Sequence, residues 1–375
     1  MPKKKSKERG PGGAKATSSS ISSSSLAPPN DATSSNTTII TAAASSPLSS
    51  SINDYQGAII EAIGRDDLTK LRSLVKELGA SPNQATNDGS TPLMAAAMWN
   101  RVNMARCLVK DLGADVNQAD SVGQTAFHIS AAKGYLDMLR CLVNELGADV
   151  DQARADGRTA VHIAASVDAI DVLRLLVTEL GANVNKVDNN DLTPVWYAAF
   201  QVNLDVTRCL VGELGADVNH TNKNGQTLLY MAAASGNLAR VRCLLKLGAD
   251  VNRAAGDSMT PLLKATEEKH TEIVVWLVKA GADTRSSLML SSGVPITAVD
   301  VSRKLGGSAE QTAYLEAKTH CSNPACDSTG LMKCTGCKQA RYCGEACQLA
   351  HWKAHKADCK RWSAELEEEK DEGGQ

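Results

Sequence analysis

Aromatic side chains are scarce in this 375-residue chain: Phe, Trp and Tyr together make up 3% of it, and only two are Phe. Globular cores normally draw much of their buried area from such rings, so the scarcity favours an architecture assembled from small side chains. Long apolar runs are missing as well. No stretch approaches the ~20 residues that a helix needs to cross a bilayer, which excludes a helical membrane span. The first residues read Lys3-Lys4-Lys5-Ser6-Lys7-Glu8-Arg9 and then turn serine-rich; without an apolar segment they do not form a secretory signal. Neither charge sign dominates, with 40 Lys and Arg against 42 Asp and Glu for a net charge of -2. A phosphate-cradling Gly-rich loop with its lysine is absent, and so is a nucleophile elbow. No catalytic residue and no small-molecule substrate are therefore expected, and no membrane partner. The expected compartment is the cytoplasm, the nucleus or both.

What the chain does have is repetition. Gly-Ala-Asp or a near variant begins at Gly79, Gly113, Gly147, Gly181, Gly215, Gly248 and Gly281, at spacings of 34, 34, 34, 34, 33 and 33. A threonine ladder runs in phase: Thr91, Thr125, Thr159, Thr193, Thr227 and Thr260. A fixed period near 33 identifies ankyrin repeats, and the pieces make physical sense. Thr91-Pro92, Thr193-Pro194 and Thr260-Pro261 place a capping hydroxyl before a proline at the first helical position. An alanine-rich inner helix follows, whose small residues let neighbouring units approach closely. The second helix is apolar on one face, as in Met138-Leu139-Cys141-Leu142-Val143. The glycine after it suits a left-handed helix C-terminus. Units of 34 residues carry one extra residue at the end of the second helix, as in Glu145-Leu146-Gly147 against Lys246-Leu247-Gly248. A slightly longer helix is expected there.

The unit around Tyr55–Gln84 lacks the Thr-Pro signature and reads as an N-terminal cap, and an atypical eighth unit is expected over Thr297–Ser302 and Ala309–Lys318. Residues 1–50, rich in Ser, Ala, Thr, Pro and Gly, are expected to be disordered, their basic run being either a nuclear-import signal or a solvated tail. The expected division is a disordered segment at 1–50, an array at 51–318, a finger at 319–361 joined directly to the array, and an acidic tail at 362–375. Cys107, Cys141, Cys209 and Cys243 share one repeat position, which Leu175 and Trp276 fill in other units. A site that accepts all three residue types is a packing site. His128 and His162 close Thr-x-x-His tetrapeptides and are expected to order the turn.

Between Cys321 and Cys359 lie eight potential metal ligands in 39 residues: Cys321, Cys326, Cys334, Cys337, Cys343, Cys347, His355 and Cys359. A structural zinc takes four such ligands, so four ordered pairs imply two zinc ions. The segment is too short to fold on a core of its own, so the metal must supply much of its folding energy. In a reducing compartment such cysteines are ligands, not disulfides. The run Tyr342-Cys343-Gly344-Glu345-Ala346-Cys347-Gln348, with His351-Trp352, His355-Lys356 and Cys359, resembles a MYND-type zinc finger. The resemblance implies an interleaved pair of sites, with Cys321, Cys326, Cys343 and Cys347 on one zinc and Cys334, Cys337, His355 and Cys359 on the other. The first pair departs from the family in having four residues between its cysteines instead of two; His320 is the alternative donor there. His351 is expected next to the ligands or on the surface.

The overall expectation is a mainly α protein, an ankyrin-repeat solenoid followed by a small two-zinc finger, acting as a non-catalytic adaptor for proteins or peptides. The exposed ends of the inner helices are not dictated by the scaffold, and Trp99, Val167 and Phe200 are apolar there, with Gln201 beside them. They form a candidate contact patch over the second to fifth units, flanked by Glu267 and Glu268; the alternative is that Trp99 and Phe200 fold back on neighbouring repeats. Resemblance to MYND fingers implies binding of short proline-containing peptides, with Gln348 and Trp352 as the contact candidates; Trp352 is equally a candidate for the finger's core. A competing reading is nucleic-acid binding: residues 318–362 carry eight Lys and Arg against three Asp and Glu, a net of +5. Another is a non-catalytic subunit of an enzyme complex. Some proteins with this finger are lysine methyltransferases with a large flanking domain; with repeats before the finger and sixteen residues after Cys359, no such domain is expected here.

Overall fold

The computed structural model describes residues 50–201, 204–289, 295–319, 332–333 and 341–342. Paired helices follow one another through the array. The first pair is Ser50–Gly64 and Leu68–Lys76, whose opening helix is about twice as long as the inner helices after it. These are Pro92–Met98, Ala126–Lys133, Ala160–Ser166, Pro194–Ala199, Leu228–Ala234 and Pro261–Glu267. Each begins at a threonine of the ladder. Thr91 Oγ1 accepts from the Met94 N–H at 3.2 Å, Thr227 from Tyr230 at 3.1 Å and Thr260 from Leu263 at 3.2 Å. The side-chain oxygen thereby satisfies one of the donors that a helix start leaves unpaired. The alanines that follow, among them Ala96, Ala131, Ala164, Ala198 and Ala232, are fully buried. The second helices place a leucine at one shared position in the same core: Leu108, Leu142, Leu176, Leu210, Leu244 and Leu277 are all inaccessible.

The extra residue of the longer units is accommodated in a way that the sequence reading does not anticipate. The second helix is longer, as expected, but its end is a π-helix: Cys107–Asp111, Cys141–Glu145, Leu175–Glu179 and Cys209–Glu213. Leu112, Leu146, Leu180 and Leu214 donate their N–H to the carbonyl five residues back, at 3.0–3.1 Å. In the 33-residue units the same closure spans four residues, from Leu247 to Cys243 and from Ala280 to Trp276. One more residue in an α-helix would rotate everything after it by about 100°. A wider turn absorbs that residue, and Ala114, Ala148, Ala182 and Ala216 stay buried at the following step.

A second ladder joins the turns between units. The Asp115 N–H donates to Asn83 Oδ1 at 2.7 Å, Asp149 to Asn117, Asn183 to Asp151, Asp217 to Asn185, Asp250 to Asn219 and Asp283 to Asn252, all within 3.0 Å. The side chains that hold one turn to the next are thus Asn83, Asn117, Asp151, Asn185, Asn219 and Asn252, to which the Gly-Ala-Asp step offers a backbone N–H. At the tips, the Ala155 N–H donates to the Val122 carbonyl at 3.1 Å and Asn189 to Asp156 at 3.0 Å.

His128 and His162 order the start of their helices, as the tetrapeptide predicts. Nδ1 of each accepts from the backbone N–H of the capping threonine, at 3.2 Å for Thr125 and 3.1 Å for Thr159. Both rings are inaccessible. Burial, reinforced by Arg154, lowers the His128 pKa to about 4, and burial also lowers that of His162. Unfolded, these rings take up protons near pH 6.5. The array should keep its full stability above that pH and lose it progressively as pH falls toward 4, by about 3 kcal/mol from His128 alone. Urea denaturation across this range should show the slope, and His128→Gln should flatten it; an unchanged slope would place the proton uptake elsewhere.

The expected eighth unit is present as helices Ala298–Leu305 and Ala309–Thr319. Thr297 caps the first, and the Asp300 carboxylate accepts from the Thr297 N–H at 2.9 Å. Ahead of it lies an antiparallel strand pair, Ser287–Met289 with Pro295–Thr297, that the sequence reading does not include. Two further short strands, Met332–Lys333 and Arg341–Tyr342, also pair antiparallel. The zinc ligands, Gln348, Trp352, the basic run, the acidic tail and the junction between array and finger lie outside the described residues. Among the described residues no helix is long and apolar enough to cross a membrane.

Candidate functional site

The inner-helix ends divide into two kinds. Trp99 and Val167 occupy the same position in the second and fourth units and are 43% and 40% exposed, well above the level of a packed side chain. Met98, Val122 and Val187 are exposed large apolar residues as well. The Trp99 ring nevertheless leans on the first unit, where a Cβ added to Gly64 would lie 3.5 Å from it. Trp99 is therefore supported by the first unit on one side and still partly exposed to solvent.

Phe200 belongs to the second kind. It is half-buried and stacks on Trp196, with ring centroids 6.3 Å apart. The Arg240 guanidinium lies 5.1 Å above its centroid and donates to its carbonyl at 3.5 Å. Gln201 is tied back too, donating from Nε2 to the Ser166 carbonyl at 3.0 Å. Glu267 and Glu268 both close on Lys264, at 2.8 and 2.7 Å. Their carboxylates raise the pKa of that ammonium against the effect of burial. The structure thus opens Trp99 and Val167 to solvent and packs Phe200 and Gln201 into the scaffold.

A buried polar cluster in the fifth unit went unread in the sequence. The Tyr197 hydroxyl donates to Asp188 Oδ2 at 2.6 Å, while Asp188 Oδ1 accepts from the N–H groups of Asn190 and Leu192. The His162 ring meets Tyr197 edge-on at 5.6 Å, and Arg158 lies 5.8 Å from the Tyr197 ring. Burial and the Asp188 carboxylate push the Tyr197 pKa up. The signal was Trp196-Tyr197 standing where other units have His-Ile, with an aspartate nine residues earlier. The cluster fixes one turn against an inner helix, and the His162 ring is tied to the same turn through Nε2 and the Leu192 carbonyl at 3.1 Å, so that the buried network is paired within itself and with the backbone.

The four cysteines of the array are buried thiols, each with its pKa raised first of all by burial. They are small packing residues, since an activated thiol needs a depressed pKa. Among the described residues no group of three or more His, Cys, Asp or Glu side chains could hold a metal. The donor set for one is the run from Cys321 to Cys359, seven thiols and an imidazole, and that chemistry fits zinc.

Comparison with known proteins agrees with this division. The sequence matches the family described as "Ankyrin repeats (3 copies)" over residues 36–120, 59–154, 112–188, 146–222 and 195–287, and the "MYND finger" family over residues 319–359. The ankyrin matches overlap to span more than half of the chain. The chain belongs to the ankyrin-repeat family, and a MYND finger follows the array. A crystal structure of the ankyrin repeat domain of Bcl-3, described as a unique member of the IkappaB protein family, is similar at a TM-score of 0.53 with 26% identity, over 59% of this chain and 97% of that one. A curated relative, SET domain-containing protein 14 of Caenorhabditis elegans, is 36% identical over 45 residues, 12% of this chain. The chain spans 10% of that relative's length. Ankyrin repeats and MYND fingers are protein-interaction modules and typically non-catalytic; the finger's family is zinc-binding.

Proposed function

We propose that this protein is a non-catalytic adaptor that joins two recognition surfaces on one chain. One is the inner face of the repeats, the other the finger. The observation that carries the reading is the pairing of an array whose inner face leaves Trp99 and Val167 open with a second interaction module at residues 319–359. On the array, Trp99 and Val167 make the apolar contact, with Phe200 and Gln201 shaping its margin. On the finger, two zinc ions bind in the interleaved ligand pairs. Gln348 and Trp352 receive a short proline-containing peptide. The functional division is a segment at 1–50, the array at 51–318, the finger at 319–361 and an acidic tail at 362–375. The protein works in the cytoplasm or the nucleus, in signalling or transcriptional regulation.

The test is affinity capture from the source cell with the intact chain, with Trp99→Ala, and with Cys334→Ser combined with Cys359→Ser. Trp99→Ala should weaken an inner-face partner by at least about tenfold, as loss of an aromatic anchor does. It should leave finger partners bound, and these should share a proline-rich motif. If every partner survives both variants, the adaptor reading is wrong. The basic finger segment supports a second reading, nucleic-acid binding. Phosphate contacts weaken steeply with salt, so retention that collapses between low and physiological salt would favour it over peptide recognition.

A further inference from the structure

The outer helices carry an ion-pair ladder that stops partway along the array. Arg72 reaches Asp111 of the next unit at 2.7 Å, Arg106 reaches Glu145 at 2.7 Å, Arg140 reaches Glu179 at 3.1 Å and Arg174 reaches Glu213 at 3.0 Å. Three of these contacts are two-pronged, with Nε and Nη2 of the arginine donating to the two oxygens of the glutamate. Each acid is the last residue of its π-helix. The residue that makes the longer units long therefore corresponds to the one that clasps the preceding arginine.

Arg208 is the next rung. The sixth unit is a 33-residue unit that runs Cys243-Leu244-Leu245-Lys246-Leu247-Gly248, where the fifth runs Cys209-Leu210-Val211-Gly212-Glu213-Leu214-Gly215. The acid is missing, and a continuous α-helix, Leu238–Lys246, takes the place of the π turn. Arg208 turns to Asp205 on its own helix instead. The rung after it is also unfilled: the seventh unit lacks the acid, and Arg242 lies 4.4 Å over the Trp276 ring. At this break is a cavity of about 400 Å³ lined by Arg208, Ala239, Arg242, Cys243, Lys246 and Leu247. Three cations and no carboxylate line it. Arg208, Arg242 and Lys246 are exposed, and Lys246 has no ion-pair partner among the described residues.

The geometry points to an anion site at this break, filled in trans by an acidic segment of a partner protein, whose carboxylate takes the place of the missing glutamate. The chain's own rungs show what the position accepts: a carboxylate, held in the fork of a guanidinium. Two guanidinium groups and an ammonium around one small opening suit one or two acidic side chains. They are too few to follow a nucleic-acid backbone. Leu247, Ala239 and the buried thiol of Cys243 add apolar surface to the lining, against which the stem of a glutamate can lie. The site is on the outer helices and does not depend on the inner-face reading.

The test measures binding of a fluorescent peptide of alternating Glu and Ser to the full chain by anisotropy, beside the same peptide with Gln for Glu. The Glu peptide should bind and the Gln peptide should not. Arg208→Ala with Arg242→Ala should weaken the Glu peptide about tenfold, a loss that corresponds to one charged contact. Inserting a glutamate between Lys246 and Leu247 restores the 34-residue unit and should abolish binding at the break by filling it in cis, with the melting temperature showing that the array remains folded. Equal binding of the two peptides, or binding that neither the double variant nor the insertion changes, would overturn the proposal. Tighter binding of a single-stranded DNA of equal length, lost in the same variants, would assign the site to nucleic acid instead.

Discussion

Chelating zinc from this protein is expected to unfold residues 319–359 and leave the repeat array intact. The seven thiols and one imidazole between Cys321 and Cys359 bind metal only when deprotonated, and a segment this small has little else to fold around. Binding energies of structural zinc run to roughly 10–16 kcal/mol in comparable peptides and are spent on folding. The array needs no such help, because its leucines, alanines and capping threonines are already buried. A chelator should therefore release about two zinc ions per chain, the count that eight ligands at four per ion require. The finger should become protease-sensitive while the far-ultraviolet circular dichroism of the helices changes little. Cys334→Ser should reproduce the effect without chelator. Release of one ion would refute the two-site ligand assignment. Loss of the array's helical signal would show that the finger supports the repeats.

Gly157→Ala should destabilise the array by about 3–5 kcal/mol and Gly147→Ala by only about 1 kcal/mol, although both glycines have the same backbone conformation. Their φ angles are +85° and +78°, left-handed values that cost any other residue about 1 kcal/mol. The difference lies in what a methyl group would meet. At Gly147 nothing is within 4 Å, whereas at Gly157 the new Cβ would lie 2.5 Å from the Asn189 nitrogen and 2.9 Å from the Asp188 carbonyl carbon. Those are backbone atoms of the next turn and cannot rotate away. Separating the turns would also stretch the bond from Asn189 N–H to the Asp156 carbonyl. In a repeat protein a weakened interface between neighbours is felt through the whole array. Urea denaturation of the two variants measures the gap; equal losses would mean that the turns part freely.

Much of this was legible because repetition makes structural roles visible. The Gly-Ala-Asp spacing, the Thr-Pro starts and the shared cysteine position each recur, so a residue's role in one unit could be checked against its equivalents. Thr125-x-x-His128 was readable as a cap for that reason, and so was the buried character of Cys141. The same repetition hid other features. Asn117 looks like a polar turn residue until the next turn is placed beside it, because its partner, the Asp149 N–H, is 32 residues away. The strand pair before the eighth unit has no counterpart in the other units to read it from, and only the fold sets Leu288 opposite Ile296.

The sequence by itself determined the class of the protein: local periodicity fixes the helix pairs, caps fix their starts, and the run of Cys and His residues marks the finger. Three-dimensional packing decided how the extra residue is housed: a longer α-helix and a π-turn are both open to a helix with one more residue, and they differ in whether the alanine that follows keeps its buried position. It also decided which apolar side chains are free. Trp99 and Phe200 are alike in composition, but only Phe200 has a tryptophan at its ring and an arginine, forty residues on, above it. The break in the outer ladder belongs to both levels. The missing residue is visible in the spacing, and only the folded array shows that its absence brings Arg208, Arg242 and Lys246 to one opening.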